Sequence, residues 1–273
     1  MYQTNGNQIF PKIIAHRGAS SDAPENSRAA FQKAIEVGAE GIEFDVRLSK
    51  EGIPVVFHDA SLRRIAQLKH KISDLSIAEL LQIDIGSWFN VKNPFKANPA
   101  FSKERILTLE QFFEFLNDYK GSLYLEMKCK NKEIKPLVEA VAKIVEKSKF
   151  VDQLVLKSFK LEAVKQTRKL LPQATTAALF APKILNIFKK RNHIIEKAED
   201  CKANQLSIHF SMATKKLVEK ARMSNYPTVI WTADNPIWVK RAANIGIEAI
   251  ITNNPERLLI KRRELLHQNS ILA

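Results

Sequence analysis

The chain has 273 residues, 45% of them apolar, and its 43 Lys and Arg exceed its 29 Asp and Glu to give a formal net charge of +14. This length and apolar content are ordinary for a soluble globular protein. The two cysteines, Cys129 and Cys201, lie far apart and in no ligand spacing, which argues against a disulfide framework and a thiolate metal site. The positive charge favours anionic partners such as phosphoesters, although a generally solvated basic surface would explain it equally well.

Simple features of the sequence disfavour three further classes of protein. The basic residues are scattered and no nucleic-acid-binding motif is present, so nucleic acid is not expected as a partner. No apolar run reaches the ~18 residues of a membrane span, and residues 1–8 show neither the basic nor the apolar part of a secretory signal. We therefore expect a soluble, cytoplasmic protein, although a processed precursor would look the same.

Short apolar strands alternate with amphipathic helices along the chain. The first strand is predicted over residues 12–15, and the next helix begins at Asn26 or Ser27 as its capping residue and ends at Gly38. Further strands are predicted over residues 41–46, 54–57, 122–127, 153–158, 174–179, 205–209, 228–232 and 248–251. Further helices are predicted over residues 108–117, 132–147, 161–170, 183–198, 213–223 and 236–243. This alternation indicates an α/β fold, a parallel (βα)₈ barrel rather than an open sheet.

The second strand carries two carboxylates on one face. Glu43 and Asp45 are two residues apart, and side chains in a strand alternate between its faces, so both point the same way. A bound divalent cation would make such a close pair of anions tolerable. A salt-bridged pair is the alternative interpretation.

Nine strands are predicted for eight barrel places, and the link over residues 47–53 explains the surplus. It is too short for a crossover helix, which needs about a dozen residues. Residues 41–58 are therefore predicted to form a hairpin that turns near Glu51 and Gly52, which sets Asp45 opposite Phe57 and brings His58 to the level of the acidic pair.

Residues 59–107 interrupt the alternation with a turn-rich composition. We expect one domain over residues 1–273, with this segment inserted after the third strand and lying over the barrel mouth. A plain surface loop over residues 84–104 is an equally good interpretation.

The order of several short motifs resembles the glycerophosphodiester phosphodiesterase family, part of the PLC-like phosphodiesterase superfamily. The matching segments are Ala15-His16-Arg17-Gly18, Pro24-Glu25-Asn26, Glu43-Phe44-Asp45-Val46, His58-Asp59, Leu107-Thr108-Leu109-Glu110, Leu125-Glu126-Met127-Lys128, Ser158-Phe159, Trp231-Thr232 and Ile250-Ile251-Thr252. The resemblance implies a phosphoric diester hydrolase on a (βα)₈ barrel with a small insertion. It further implies hydrolysis of small diesters such as glycerophosphocholine and glycerophosphoethanolamine to glycerol 3-phosphate and an alcohol.

The resemblance also implies roles for individual residues. Glu43, Asp45 and Glu126 would be ligands of Mg²⁺ or Ca²⁺, since both cations prefer oxygen donors. Arg17 and Lys128 would bind phosphate oxygens, and Trp231 would pack on the glycerol moiety. His16 and His58 would be the catalytic pair that transfers protons, through direct attack by water or through a cyclic phosphate.

Several positions keep a second interpretation. Trp231 and Phe159 would serve as core residues equally well, and Glu25 and Asn26 would serve as helix caps instead of supports for the site. Asn253 stands where the family usually has an aspartate, which weakens the case for a role at that position.

Two other functions remain open. One is a lysophospholipase D or sphingomyelinase D-like activity on lipid head groups, for which the basic amphipathic segment over residues 258–266 suggests weak contact with a membrane surface. The other is a non-catalytic phosphoester-binding barrel, although no histidine or metal ligand of the motif set is missing.

Overall fold

Eight parallel strands close into a barrel surrounded by helices in the computed structural model, which describes residues 9–182 and 193–272, with side chains to residue 268. The barrel strands are β1 (Lys12–His16), β2 (Gly41–Leu48), β5 (Ser122–Met127), β6 (Leu154–Ser158), β7 (Thr175–Phe180), β8 (Gln205–His209), β9 (Thr228–Trp231) and β10 (Ala249–Thr252). Pairing of β1 with both β2 and β10 completes the ring. The predicted (βα)₈ barrel is confirmed, and every predicted strand is present within two residues of its expected bounds.

Two short strands lie outside the ring. β3 (Pro54–Val56) pairs antiparallel with the end of β2, which confirms the predicted hairpin. β4 (Leu107–Thr108) pairs antiparallel with β3 and was not predicted. Two residues are too few to show the alternation by which a strand is recognised in a sequence.

Among the described residues seven ring helices follow the predicted order, and the last ring helix, α11, was not predicted. The ring helices are α1 (Arg28–Glu36), α5 (Leu109–Leu116), α6 (Ile134–Lys147), α7 (Leu161–Leu170), α8 (His193–Asp200), α9 (Lys215–Met223), α10 (Ile237–Ile245) and α11 (Pro255–Leu272). The segment after β3 adds α2 (Arg63–Ala66), α3 (Ile77–Leu80) and α4 (Ser87–Lys92). The expected plain loop over residues 84–104 is therefore wrong, because α4 and two 3₁₀ turns occupy most of it. The part of the predicted helix over residues 183–192 lies outside the described residues.

The turn after β1 is fixed by a close approach between backbones. Ser27, not Asn26, caps α1, and its hydroxyl accepts a hydrogen bond from the Ala30 amide at 3.1 Å. Gly18 has φ +79°, and a Cβ there would lie 2.5 Å from the Ala30 carbonyl carbon. Only glycine lets the chain pass this close to the first turn of α1 while keeping that backbone conformation. Gly38 ends the helix with a left-handed conformation, as predicted.

The core has an inner and an outer part. Ile14, Tyr124 and Val155 are among the side chains that fill the barrel interior. On the outer face of β2, which points away from the barrel interior, Phe44 packs against Phe112 of α5 with ring centroids 4.2 Å apart. The apolar residues of β2 therefore hold the strand against the helices, while its acidic residues point away from them.

The last helix uses its apolar residues for packing. Leu258, Leu259 and Leu265 are buried against the barrel, and Arg262 forms an ion pair with Glu40 at 2.5 Å. The amphipathic pattern that suggested membrane contact is therefore explained by the core, and such contact stays a prediction. Within residues 9–182 and 193–272, no helix has the length and apolarity needed to span a bilayer.

Replacing Phe44 tests whether the outer face of β2 anchors the strand. We expect Phe44→Ala to lower the free energy of unfolding by about 3–5 kcal/mol, measured by urea denaturation, because it leaves a cavity between β2 and α5. Phe95→Ala is the matched control, since Phe95 is fully exposed, and should change the value by less than about 0.5 kcal/mol. Equal effects of the two substitutions would contradict the assignment.

Candidate active site

β1 and β3 both pair with the same edge of β2, and their carboxyl ends meet there. The Arg17 amide after β1 donates to the Glu43 carbonyl at 2.7 Å, and the Phe57 amide after β3 donates to the Asp45 carbonyl at 2.9 Å. Carbonyls two residues apart point to the same edge of a strand. The chain leaving β1 and the chain leaving β3 therefore meet beside Asp45, which brings the segments that carry His16 and His58 together, as the predicted register requires.

Three carboxylates converge inside the carboxyl end of the barrel. Asp45 of β2 pairs in register with Glu126 of β5, and Glu43 lies two residues before Asp45. One oxygen from each of the three lies within 4.8 Å of the others, and the residues are 0%, 0% and 6% exposed in the order Glu43, Asp45, Glu126. The acidic cluster expected from the sequence is thus present.

Three cations contact these carboxylates. Arg17 Nε lies 3.0 Å from Asp45 Oδ2, and Lys128 Nζ lies 2.6 Å from Glu126 Oε1 and 3.4 Å from Asp45 Oδ1. Lys157 Nζ lies 2.8 Å from Glu43 Oε1. The salt-bridge interpretation of the acidic pair is therefore also correct, since each carboxylate is both part of the cluster and paired with a cation.

Lys157 was missed in the sequence although a signal was there. It is 1% exposed and stands on β6 directly beside Glu126 in the strand register. A lysine two residues after Val155, which fills the barrel interior, must also point inward. A buried lysine needs a carboxylate partner, so an inward lysine at the end of a barrel strand indicates an acidic site.

Burial and the neighbouring cations shift the pKa values of the three carboxylates in opposite directions. Burial would raise the pKa of Asp45, but Arg17 and Lys128 hold this pKa well below its usual range. Burial would likewise raise the pKa of Glu43, and the Lys157 ammonium lowers it overall. At Glu126 burial outweighs the effect of Lys128, so the pKa is raised. Glu43 and Asp45 are therefore held as anions, and Glu126 is the member of the cluster that takes up a proton most easily.

The donor set fits a hard divalent cation. Glu43 Oε1, Asp45 Oδ1 and Glu126 Oε1 are buried and accept no hydrogen bond of good geometry from the described residues, and each lies within 3.4 Å of a lysine ammonium. Convergent carboxylate oxygens of this kind are the ligands that Mg²⁺ and Ca²⁺ prefer.

His16 is oriented by Asn253, a residue for which little role was expected from the sequence. Its Nδ1 lies 2.6 Å from Asn253 Oδ1, and Asn253 Nδ2 in turn donates to Asp234 Oδ2 at 2.7 Å. Because an amide oxygen can only accept, Nδ1 carries the proton and Nε2 is left to face Glu43 Oε2 at 3.8 Å. Burial lowers the pKa of His16, which favours the neutral ring. The position for which the sequence weakened the case for a role thus contacts His16: the neutral asparagine offers the acceptor, and Asp234 accepts from its amide.

His58 is oriented by a chain of charged groups. Its Nδ1 lies 2.6 Å from Asp59 Oδ1, and Asp59 Oδ2 accepts from Arg64 Nε at 2.6 Å. Arg64 also donates twice to Glu25 at 2.8 Å, and Glu25 accepts from Arg17 at 2.8 Å. Burial lowers the pKa of His58. Glu25 therefore supports the site and does not cap α1.

Asn26 is a second support that contacts the acidic cluster. Its Nδ2 donates to Asp45 Oδ2 at 3.0 Å, and its Oδ1 accepts from the Asp45 amide at 3.3 Å. Asn26 and Arg17 both have φ +57°, a conformation that costs energy in residues other than glycine. The surrounding contacts hold both residues in this conformation beside Asp45.

Aromatic side chains line the other side of the barrel end. Trp231 contacts Phe159 and His209, each at 5.4 Å between ring centroids and nearly perpendicular. Lys128 Nζ lies 5.8 Å from the centroid of the Phe159 ring, which links this group to the cations of the site. Trp231 Nε1 is buried and has no hydrogen-bond partner in the described part of the chain. Trp231 and Phe159 thus share one aromatic wall.

Removal of the Lys157 charge tests whether this lysine neutralises the buried carboxylate of Glu43. We expect Lys157→Met to lower the free energy of unfolding by about 3–5 kcal/mol in EDTA, because Glu43 is left buried without its cation. Glu43→Gln in the Lys157→Met background should recover part of this loss, as measured by urea denaturation.

The control is Lys149→Met, which removes an exposed lysine whose partner Asp118 lies 3.1 Å away. Exposed pairs of this kind contribute about 0–1 kcal/mol. A loss for Lys157→Met no larger than that of this control would contradict the assigned role.

Comparison with known proteins supports the assignment to a family. Residues 16–257 match the model of the glycerophosphoryl diester phosphodiesterase family. A glycerophosphodiester phosphodiesterase of Caldanaerobacter subterraneus subsp. tengcongensis is 29% identical over 90% of this chain and 96% of its own length.

Two solved structures share the fold and at least a quarter of the residues. A phosphodiesterase of Oleispira antarctica, in complex with the product sn-glycerol-3-phosphate, superposes with a TM-score of 0.80 at 27% identity, over 92% of this chain and 96% of its own. A glycerophosphodiester phosphodiesterase of Thermotoga maritima gives a TM-score of 0.71 at 27% identity, over 93% of this chain and 99% of its own. The chain therefore belongs to the glycerophosphoryl diester phosphodiesterase family of hydrolases.

Proposed function

We propose that the protein hydrolyses glycerophosphodiesters, such as glycerophosphocholine and glycerophosphoethanolamine, to glycerol 3-phosphate and an alcohol. The observation that carries the proposal is the convergence of three buried carboxylates with Arg17 and Lys128, next to the two histidine-bearing segments. The complex of the Oleispira antarctica relative with sn-glycerol-3-phosphate supports glycerol 3-phosphate as the product.

Glu43, Asp45 and Glu126 would hold the divalent cation, Mg²⁺ or Ca²⁺. The bound cation would neutralise charge on the phosphodiester, which at neutral pH is an anion that resists nucleophiles. Arg17 and Lys128 lie beside the same carboxylates and would bind nonbridging phosphate oxygens, Arg17 through its planar guanidinium and Lys128 as a point charge.

His16 and His58 would transfer the protons. Hydrolysis needs an acceptor for the proton of the attacking oxygen and a donor for the departing alkoxide, and an imidazole can do either near neutral pH. Each ring is held through Nδ1, His16 by Asn253 and His58 by Asp59, so Nε2 is the atom of each that would exchange a proton with the substrate. His16 Nε2 lies 3.8 Å from Glu43 Oε2, and both rings act electrostatically on Asp45, which supports a position of both rings next to the acidic cluster.

Trp231 would bind the glycerol end of the substrate. Its ring stands in the aromatic wall, and its unpartnered Nε1 offers a hydrogen-bond donor. Phe159 on the same wall would pack on the carbon backbone of the glycerol moiety.

The segment over residues 59–107 would cover the barrel mouth on the side of β1, as part of a single domain. Two contacts support this placement: Arg64 is bound to Glu25, and Lys96 lies 2.7 Å from Asp22. Glu25 and Asp22 both belong to the connection that follows the carboxyl end of β1, where barrel enzymes hold their active sites.

Metal removal and substitution of the histidines test the proposed function. We expect the native protein to release glycerol 3-phosphate from glycerophosphocholine and glycerophosphoethanolamine with Mg²⁺ or Ca²⁺ and not with EDTA. His16→Ala and His58→Ala should each lower kcat by about 100-fold or more, because a proton-transfer group is lost.

His193→Ala replaces an exposed histidine of α8 and should leave the rate unchanged. Full activity in EDTA, or in both active-site variants, would refute the proposed mechanism. Cleavage of a lysophospholipid alone would instead support the lysophospholipase D-like function.

The neutral acceptor of His16 gives a separate test. We expect Asn253→Leu to lower kcat roughly 10- to 100-fold with little change in KM, because His16 loses the contact that fixes its ring. Asn253→Asp keeps an acceptor oxygen for Nδ1 but loses the hydrogen bond to Asp234 and sets two carboxylates side by side, so it should retain more activity than the leucine variant and less than the native protein. If the leucine variant is as active as the aspartate variant, Asn253 does not position His16.

A further inference from the structure

A cavity of about 290 Å³ lies beside the site, between the β2–β3 hairpin and the chain that leaves β5. At ~30 Å³ per water molecule this is room for on the order of ten waters, or for one polar substituent of a small substrate. Lys128, one of the cations of the active site, is part of its lining. The cavity therefore adjoins the place proposed for the diester phosphate.

The lining is strongly basic. It contains the five cationic side chains of Arg47, Lys50, Lys71, Lys128 and Lys130, against the single carboxylate of Glu133. Glu133 Oε2 accepts a hydrogen bond from the backbone amide of Lys130, which caps the 3₁₀ turn over Asn131–Glu133. Lys128 is paired with Glu126 and Asp45, but within the described ranges none of the side chains of Arg47, Lys50, Lys71 and Lys130 forms an ion pair, so four of the five cations are not neutralised by a direct contact.

Arg47 connects the cavity to the catalytic segments. It stands two residues after Asp45 on the same face of β2, its Nε donates to the His58 carbonyl at 2.7 Å, and its Nη1 contacts the Lys128 carbonyl at 3.3 Å. Both partners are backbone carbonyls, so the guanidinium keeps its full charge while it fixes the boundary between the site and the cavity.

We propose that this cavity binds an anionic group, such as a phosphate monoester, carried by the alcohol part of the substrate, so that the enzyme prefers glycerophosphodiesters with a second negative charge. The inference rests on the proposed function, since it concerns the alcohol of the same diester. Several unpaired cations around a space of this size attract an anion and repel a quaternary ammonium such as choline. Phosphate oxygens would accept hydrogen bonds from Lys71 and Lys130, whose exposed side chains can turn toward the cavity.

Two substrates that differ only by a phosphate monoester on the alcohol part provide the test. We would measure kcat/KM for glycerophosphoinositol 4-phosphate and for glycerophosphoinositol, using the native chain of 273 residues with Mg²⁺. We expect a ratio of about tenfold in favour of the phosphorylated diester, and a fall of this ratio by at least about fivefold in the double variant Lys71→Gln/Lys130→Gln, mainly through KM.

The matched control is Lys149→Gln/Lys215→Gln, which removes two exposed lysines away from the cavity and lowers the net charge equally. It should keep the native ratio. Equal kcat/KM for the two diesters in the native protein, or an equal fall of the ratio in the control, would overturn the cavity inference and leave the proposed function standing. Cleavage of neither diester, nor of glycerophosphocholine, would overturn both.

Discussion

The site depends on the neutralisation of three carboxylates inside the barrel. Glu43, Asp45 and Glu126 are brought within 4.8 Å by the pairing of β2 with β5, and burial of such charges without partners would cost far more than a small domain can tolerate. Each has a cation from a different element, Arg17 after β1, Lys128 after β5 and Lys157 within β6. Two of these cations are unusual locally: Arg17 has a left-handed backbone conformation, and Lys157 is buried within a strand.

The shape of β2 explains why the two histidines lie near one anion. The strand is long enough for β1 and β3 to share one of its edges, with β1 ending at the level of Glu43 and the hairpin returning to Asp45. A standard βα unit would have sent the chain into a helix after Val46. The hairpin instead returns the chain to the barrel end within about a dozen residues, and His58 follows directly.

Local patterns were sufficient to predict the barrel, the hairpin and the acidic pair of β2, whereas Glu126 was expected from the family resemblance. Alternation in residues 41–46 identifies the face of the two acids, and the short link after them leaves only a hairpin. Two features were not predictable in this way, because they depend on contacts between distant parts of the chain. The acceptor role of Asn253 toward His16 joins residues 237 positions apart, and β4 exists only because β3 offers an edge. Lys157 differs from these, since its position two residues after Val155 already indicated an inward side chain, and only its partner Glu43 required the structure.

The two layers of charge around the site differ in their exposure to solvent. The inner pairs with Asp45 and Glu43 are shielded from water, whereas Arg64, which joins Glu25 to Asp59, has a side chain 42% exposed. Dissolved ions screen exposed charges over about 8 Å at physiological ionic strength and affect buried pairs much less. Rising ionic strength should therefore weaken the contacts of Arg64 with Glu25 and Asp59, which orient His58, before it weakens the ion pairs of the acidic cluster. The orientation of His58 and the stability of the barrel should thus respond to salt over different ranges of concentration.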